Sequence, residues 1–373
     1  MILLTIVFLG LFFSATHRLN CVTDPNPSFL VKLNQIDSGG DYLGLYHHDG
    51  LLFGLKNEAV VIFDLSNSSS PVRIAEHKIG SRLHEMTIAD GKLFALDLSY
   101  GVKVYNYFSP TNIAFLAQYP MPSGHYFVDI KVRGDYAFIS DHNYGEGGVR
   151  VLNISDIHDI QEVEHFNAVL GPNNLILTEE DVIFTAGHEG GLFMINISVR
   201  DELSTIGTFY ESVGVYSCLI SGNYAYLSDN KDGIRVVDIT KPESMEQVAL
   251  YPFTGPAGKM LIQDDVLYTA KWEDGLLLVN ISDPTNPTKV EELFDGGEAR
   301  DLEFVNNYLY VADGLDGIEI FQTNKEQAVT TDHQTSIDHS SDAVSTANFS
   351  FDLAITILLC TVSCVYGFER RKG

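Results

Sequence analysis

Gly222-Asn-Tyr-Ala-Tyr-Leu-Ser-Asp-Asn-Lys-Asp-Gly-Ile-Arg-Val-Val-Asp-Ile-Thr-Lys-Pro242 is the stretch that decides the fold. It holds two short apolar runs, Tyr224, Tyr226 and Leu227, then Ile234, Val236 and Val237. β-Branched and aromatic residues dominate both, and Gly, Asn, Asp and Pro bound them, which reads as two strands joined by turns. The pattern returns in Asp264-Asp-Val-Leu-Tyr-Thr-Ala-Lys-Trp-Glu-Asp-Gly-Leu-Leu-Leu-Val-Asn-Ile-Ser-Asp-Pro284, and again from Asn306 to Gln322. A glycine opens the second run at Gly101, Gly148, Gly191, Gly233, Gly275 and Gly317, and Ala59 takes its place in the first copy. The later steps are about 42 residues, a spacing typical of propeller blades. The longer step to Gly148 is taken up by the insertion His142-Asn-Tyr-Gly-Glu-Gly147. Each copy carries four apolar segments, and no long helical periodicity interrupts them. Four strands per copy over seven copies predict an all-β chain, a seven-bladed β-propeller over residues 28–323. A β-solenoid is the competing architecture.

The last copy stops after its third strand, at Phe321-Gln322. The segment Phe29-Leu-Val-Lys-Leu-Asn-Gln-Ile36 resembles the fourth-strand segment Thr288-Lys-Val-Glu-Glu-Leu-Phe294, so an N-terminal strand is expected to close the ring. Closure of this kind hides two sheet edges that would otherwise invite aggregation. The third strand with its turn resembles the LVIVD repeat of cell-surface β-propeller proteins. The matching residues are Leu276-Leu-Leu-Val-Asn-Ile-Ser-Asp-Pro284, Ile234-Arg-Val-Val-Asp-Ile-Thr-Lys-Pro242 and Val149-Arg-Val-Leu-Asn-Ile-Ser-Asp156. The resemblance implies the fold and an extracellular location. It implies no reaction.

Composition agrees with a packed domain. Of 373 residues, 50 are Asp or Glu and 23 are Lys or Arg, a net charge of -27, yet 45% are hydrophobic. An acidic chain without a core would be far poorer in apolar residues. The charge excludes a nucleic-acid partner, since a phosphate backbone needs basic side chains to neutralise it. Ile2 to Phe13 is an uncharged apolar run followed by Ser14-Ala15-Thr16, so residues 1–20 are expected to be a secretory signal peptide. Residues 324–350 are rich in Ser, Thr and Asp and read as a disordered stalk. Residues 351–368 form a C-terminal hydrophobic anchor, a transmembrane segment or alternatively a GPI signal tail. Glu369-Arg370-Arg371-Lys372-Gly373 would then be a basic cytoplasmic tail, giving a single-pass type I protein of the cell membrane with its propeller outside. A GPI-anchored form and secretion to the matrix are the alternatives. The four cysteines make no disulfide framework, and a Cys21–Cys218 bridge is left open.

Candidate sites follow from strand direction. Second-to-third and fourth-to-first connections share one face of a propeller, here called the upper face. Asp97, Asp141, Asp229 and Asp313 recur at the end of the second strand and are expected at that face. They form either a cation-binding or acidic recognition surface or a set of turn caps that serve each blade. The start of the first strand faces the channel, and there the copies differ: Arg82 and His84, His125 and Tyr126, Asn173 and Asn174, Tyr216, Lys259, Arg300. Variation among otherwise similar blades is where a specific site is built, and His84, His125 and Arg300 join the four aspartates as candidate upper-face binding residues. Asn67, Asn153, Asn196, Asn280 and Asn348 are N-glycosylation sequons. No zincin, P-loop or nucleophile-elbow motif is found, and His47-His48 point to opposite faces of a strand. No catalytic residues, metal ligands or cofactors are expected, with calcium as the open exception.

These readings converge on an extracellular, membrane-anchored adhesion or binding module that displays its propeller to a protein or glycan partner. An acidic matrix component binding calcium or mineral is the alternative. An enzyme with its site at the channel mouth is the third reading, supported by fold analogy alone.

Overall fold

A computed structural model describes residues 28–324 apart from 144, 168–170, 188–190, 211–213, 230, 256–257 and 295. The expected signal peptide, stalk, anchor and tail lie outside the described residues, as does Asn348. Among the described residues there is no α-helix, and therefore none long and apolar enough to cross a membrane.

The chain begins with β1 (Leu30–Ile36) and then builds its blades in order. Blade one is β2 (Tyr42–His48), β3 (Leu51–Lys56), β4 (Ala59–Asp64) and β5 (Val72–Lys78). Blade two is β6 (Leu83–Ala89), β7 (Lys92–Asp97), β8 (Gly101–Ser109) and β9 (Asn112–Tyr119). Blade three is β10 (Phe127–Arg133), β11 (Tyr136–Asp141), β12 (Gly148–Asn153) and β13 (Gln161–Phe166). Blade four is β14 (Pro172–Leu177), β15 (Val182–Gly187), β16 (Gly191–Asn196) and β17 (Ser204–Phe209). Blade five is β18 (Val215–Ser221), β19 (Tyr224–Asp229), β20 (Gly233–Asp238) and β21 (Glu246–Pro252). Blade six is β22 (Met260–Gln263), β23 (Val266–Ala270), β24 (Leu276–Asn280) and β25 (Thr288–Leu293). Blade seven is β26 (Ala299–Val305), β27 (Tyr308–Asp313) and β28 (Ile318–Thr323), and β1 is its fourth strand. β1 pairs antiparallel with β28, with Leu30 opposite Thr323 and Ile36 opposite Ile318.

The second strand of a blade reads as a continuous apolar run because neighbouring blades cover both of its faces. In β19 every residue after Tyr224 is buried. The hydrophobic core is accordingly divided into seven clusters, one at each junction between adjacent blades. The junction of blades seven and one is packed like the rest, with Tyr310, Ile318 and Ile320 against Tyr42, Leu45 and Val61. Each such side chain contributes roughly 1.5–3 kcal/mol by leaving water. The ring is therefore closed by side-chain packing as well as by strand pairing.

The recurring glycine has a steric cause. Gly191 has φ 77° and Gly233 has φ 116°, both in the left-handed region. A Cβ on Gly191 would lie 1.9 Å from the Phe209 carbonyl oxygen, and one on Gly233 would lie 2.2 Å from that of Tyr251. In these blades the third strand starts too close to the fourth for a side chain to fit there.

Candidate functional site at the channel mouth

The inner strand of a blade carries one extra residue near its start. Register shifts mark these bulges between Tyr42 and Gly44, Leu83 and Glu85, Phe127 and Asp129, Pro172 and Asn174, Val215 and Ser217, and Ala299 and Asp301. Blade six follows the same plan, since Gly258 N donates to Ala270 O while Ala270 N donates to Lys259 O. A bulge sets two residues against one on the partner strand. Two rings of equivalent positions result. The first is Leu43, His84, Val128, Asn173, Tyr216, Gly258 and Arg300. The second is Gly44, Glu85, Asp129, Asn174, Ser217, Lys259 and Asp301. All of them except Gly44 line a cavity of about 590 Å³ at the channel mouth, together with Tyr46, Leu98, Tyr126, Lys131, His142 and Trp272. The repeat supplies the scaffold, and the residues that differ between copies supply the walls.

Several wall residues also join blades. Asp129 Oδ2 accepts from Leu175 N at 2.7 Å, and Asp301 Oδ2 accepts from Leu45 N at 2.8 Å. Asn174 accepts from Cys218 N at 3.3 Å and donates to Cys218 O at 3.0 Å. Trp272 exchanges backbone hydrogen bonds with Ala299, at 2.9 and 3.1 Å, and is held across the junction of blades six and seven.

Three carboxylates, Glu85, Asp129 and Asp301, and three bases, Lys131, Lys259 and Arg300, line the cavity, and Arg300 is paired outward to Asp41 and Glu298 at 2.7 and 2.6 Å. Lys259 Nζ lies 3.3 Å from Glu85 and 3.7 Å from Asp301, reaching from blade six to blades two and seven. Burial opposes its charge, but Asp301, Glu85 and Asp129 together hold the ammonium well above the ordinary lysine range. Protein surrounds this group, yet 43% of the side chain still meets channel water, so its ion pairs are partly screened. Burial raises the Asp301 carboxyl, and Lys259 only partly offsets it. Burial also works against the charge of Glu85, and Lys259, Lys131 and the Tyr46 hydroxyl outweigh it and lower the group. Burial, then the charge of Asp301, pushes Glu303 up to about 7.

The Glu303 shift has a signed consequence for stability. A carboxyl raised on folding stabilises the fold most below its unfolded value of 4.5, and that stability is lost as pH rises through about 7. Glu303→Gln is expected to remove this decline. At pH 8 the variant should be more stable than wild type by roughly 1–3 kcal/mol, reading about 1.4 kcal/mol per unit and allowing for channel water. Urea midpoints at pH 5 and pH 8 measure it, and an equal decline in both proteins would show that Glu303 is not the cause.

The sequence-predicted residues separate into two groups. His84, Tyr126, Asn173, Asn174, Tyr216, Lys259 and Arg300 line the cavity. Arg82 is exposed on its loop and His125 is buried in blade three, and neither lines the cavity. Asp97, Asp141, Asp229 and Asp313 stand at the ends of the second strands but present no acidic surface, because all four are buried. Asp97 accepts from Ser99 N and Ser81 N at 2.9 Å each and pairs with Lys103 at 2.8 Å. Asp229 accepts from Lys231 N at 2.9 Å and pairs with Arg235 at 2.9 Å. Asp141 lies 2.8 Å from His125 Nδ1 and 2.5 Å from Arg150 Nε. Asp313 crowds Gly297, where a Cβ would meet its carboxylate at 1.8 Å. Sequence reasoning missed the bases that answer these acids. They stand two residues after the recurring glycine, as Lys103, Arg150 and Arg235, and aligning the copies on that glycine exposes them. It also missed Glu85, Asp129 and Asp301, which become equivalent only once the bulges are known.

Other surfaces of the propeller sort by face. Asn67, Asn153, Asn196 and Asn280 sit at the third-to-fourth-strand turns, opposite the cavity. Asn153 Oδ1 accepts from Ser155 N at 2.9 Å, and Asn196 and Asn280 make the same turn. The upper-face connections expose Tyr100, Tyr126, Tyr210, Tyr216, Phe294 and Leu315, of which Tyr126 and Tyr216 line the cavity while Tyr210 and Phe294 directly follow the outer strands β17 and β25. Its described loops expose the acids Asp41, Glu58, Glu146, Asp232, Glu273, Asp274 and Asp316 against the bases Arg82 and Lys231. Among the described residues no group of three or more His, Cys, Asp or Glu is placed to hold a metal ion.

Comparison with known proteins agrees with the fold. Residues 126–167, 215–251, 254–293 and 296–320 match the LVIVD repeat. A computationally designed protein, Ika8, is similar over 78% of this chain and 99% of its own, at 9% identity and a TM-score of 0.56. U3-55K is similar over 79% and 98%, at 13% identity and a TM-score of 0.61. A catalytically inactive virginiamycin B lyase from Staphylococcus aureus with quinupristin is similar over 79% and 98%, at 13% identity and a TM-score of 0.62. At these identities the likeness is one of fold. No curated protein matches the chain.

Proposed function

We propose that this LVIVD-repeat β-propeller is a cell-surface binding module that takes a protein or glycan partner at its channel mouth. A propeller of LVIVD repeats fits a binding module in general. One observation carries the assignment to the mouth: the bulge positions lining the cavity are equivalent by register, yet nearly every blade places a different residue there. Concave mouths with convergent polar groups are where ligands bind. The exposed rings of Tyr126 and Tyr216 in the cavity wall add the composition of a contact surface. Display outside the cell rests on the apolar runs Ile2 to Phe13 and Leu353 to Phe368 and on the resemblance to cell-surface proteins. Glycans at Asn67, Asn153, Asn196 and Asn280 would leave the upper face free. An enzyme would use the same cavity, but the lyase neighbour lends it the fold alone. Labelling a partner from each face of the propeller tests the reading: capture preferentially from Tyr216 supports it, and equal capture from both faces or capture only from the opposite face overturns it.

A further inference from the structure

We infer that the channel mouth recognises a positively charged side chain, a Lys or Arg carried on an exposed segment of a partner protein. The inference rests on the reading of the mouth as the binding face and names what that face selects. The cavity already holds two cations of the chain itself against aromatic rings. Lys259 Nζ is 5.6 Å from the centre of the Tyr46 ring, and the Arg300 guanidinium is 6.0 Å from that of Trp272. Tyr126 and Tyr216 line the same cavity, and they keep 51% and 40% of their surface open. The face of an aromatic ring attracts a cation, and more strongly where water is partly excluded. The floor beneath carries the carboxylates Glu85, Asp129 and Asp301, with Glu303 two residues further along β26, against Lys259 and Lys131. Lys131 is taken up by Asp129 at 2.7 Å, and Lys259 is shared between Glu85 and Asp301. Arg300, the third base of the cavity, is paired outward to Asp41 and Glu298, so the cavity and its edge hold five carboxylates against three bases. Among the described residues the surrounding loops add six more exposed acids against two exposed bases. Such a field draws in a basic segment and disfavours an acidic one. A protein segment rather than a free amine is favoured by the rest of the upper face, where Tyr100, Tyr210, Phe294 and Leu315 are exposed outside the cavity and offer contact to a larger partner.

The only tryptophan of the chain, Trp272, lies in the cavity wall and reports on occupancy. The full-length protein is titrated with capped pentapeptides of glycine carrying a central Lys, Arg or norleucine, with n-butylamine, and with a neutral oligosaccharide, while Trp272 fluorescence is followed. The Lys and Arg peptides are expected to give a saturable change that weakens at least tenfold in Glu85→Gln and in Tyr216→Ala, and that weakens with added salt. The norleucine peptide should give none, and n-butylamine should bind at least tenfold more weakly than the Lys peptide. Tyr126→Ala, at an exposed ring, serves if either variant loses its fold. Equal response to norleucine, equal affinity for n-butylamine, or a response to the oligosaccharide alone would each overturn the inference. Failure of the cationic peptides alongside successful partner capture from Tyr216 removes this inference and leaves the channel mouth as the binding face. Failure of that capture removes the face itself.

Discussion

Arg150→Ala is expected to cost the protein about 3–5 kcal/mol, the range found when one partner of a buried ion pair is removed. Arg150 is 5% exposed and Asp141 is fully buried, with Nε at 2.5 Å from the carboxylate. The same guanidinium reaches Glu162 at 2.7 Å and lies 3.3 Å from His125 Nδ1. Truncation leaves the Asp141 charge in the interior of blade three with His125 at 2.8 Å and His165 at 3.8 Å. Burial lowers the His165 imidazole from its ordinary value, so that ring does not replace a permanent cation at neutral pH. Combining Arg150→Met with Asp141→Asn removes both charges and should recover at least half of the loss, since a buried pair replaced together is often neutral. Urea denaturation of the single and double variants measures both quantities. A single-variant loss below 1 kcal/mol would show that the pair is not what fixes this blade.

The second large effect concerns the ring itself. Deleting residues 28–36 removes β1 and with it the whole ladder on β28. Phe29 and Leu30, 7% and 3% exposed, leave the core between blades six and seven. Leu30 N and its 2.9 Å bond to Glu291, and the ion pair of Lys32 with Glu319, go as well. The two apolar side chains alone are worth about 3–6 kcal/mol, and β28 becomes an open edge. Against a total stability of roughly 5–15 kcal/mol, cooperative folding should be lost. Leu30→Asp should cost about 3 kcal/mol or more through the burial of a charge. Thermal melts of the two variants and wild type check this, and an unchanged melt of the deletion would show that the ring holds without β1.

The blades were legible because a period of about 42 residues with two dense apolar runs leaves few architectures open. The glycine at 191, 233 and equivalent places was legible as a recurring position, though its reason, a carbonyl oxygen in the space a Cβ would need, is visible only in three dimensions. The variable residues of the first strand were legible as well, and most of them line the cavity. His125 was not, because an imidazole next to an exposed tyrosine gives no sign that it turns inward toward Asp141. The aspartates of the second strand show the same limit. Their recurrence was plain, but Asp97, Asp141 and Asp229 are buried against Lys103, Arg150 and Arg235 on the neighbouring strand, and pairing across a hairpin needs the register. The acidic floor was hidden for a related reason. Glu85, Asp129 and Asp301 align with Lys259 only when each bulge is counted, and one uncounted residue moves a side chain to the other face.

The most direct test of binding at the channel mouth places a photo-crosslinking p-benzoylphenylalanine at Tyr216, 40% exposed in the cavity, or at Phe108, 71% exposed near the turn into β9 on the opposite face. The full-length protein is expressed on cells, irradiated and purified, and adducts are compared. The account predicts a partner adduct from position 216 at least tenfold more abundant than from position 108. Equal adducts from both positions, or adducts from position 108 alone, would contradict it.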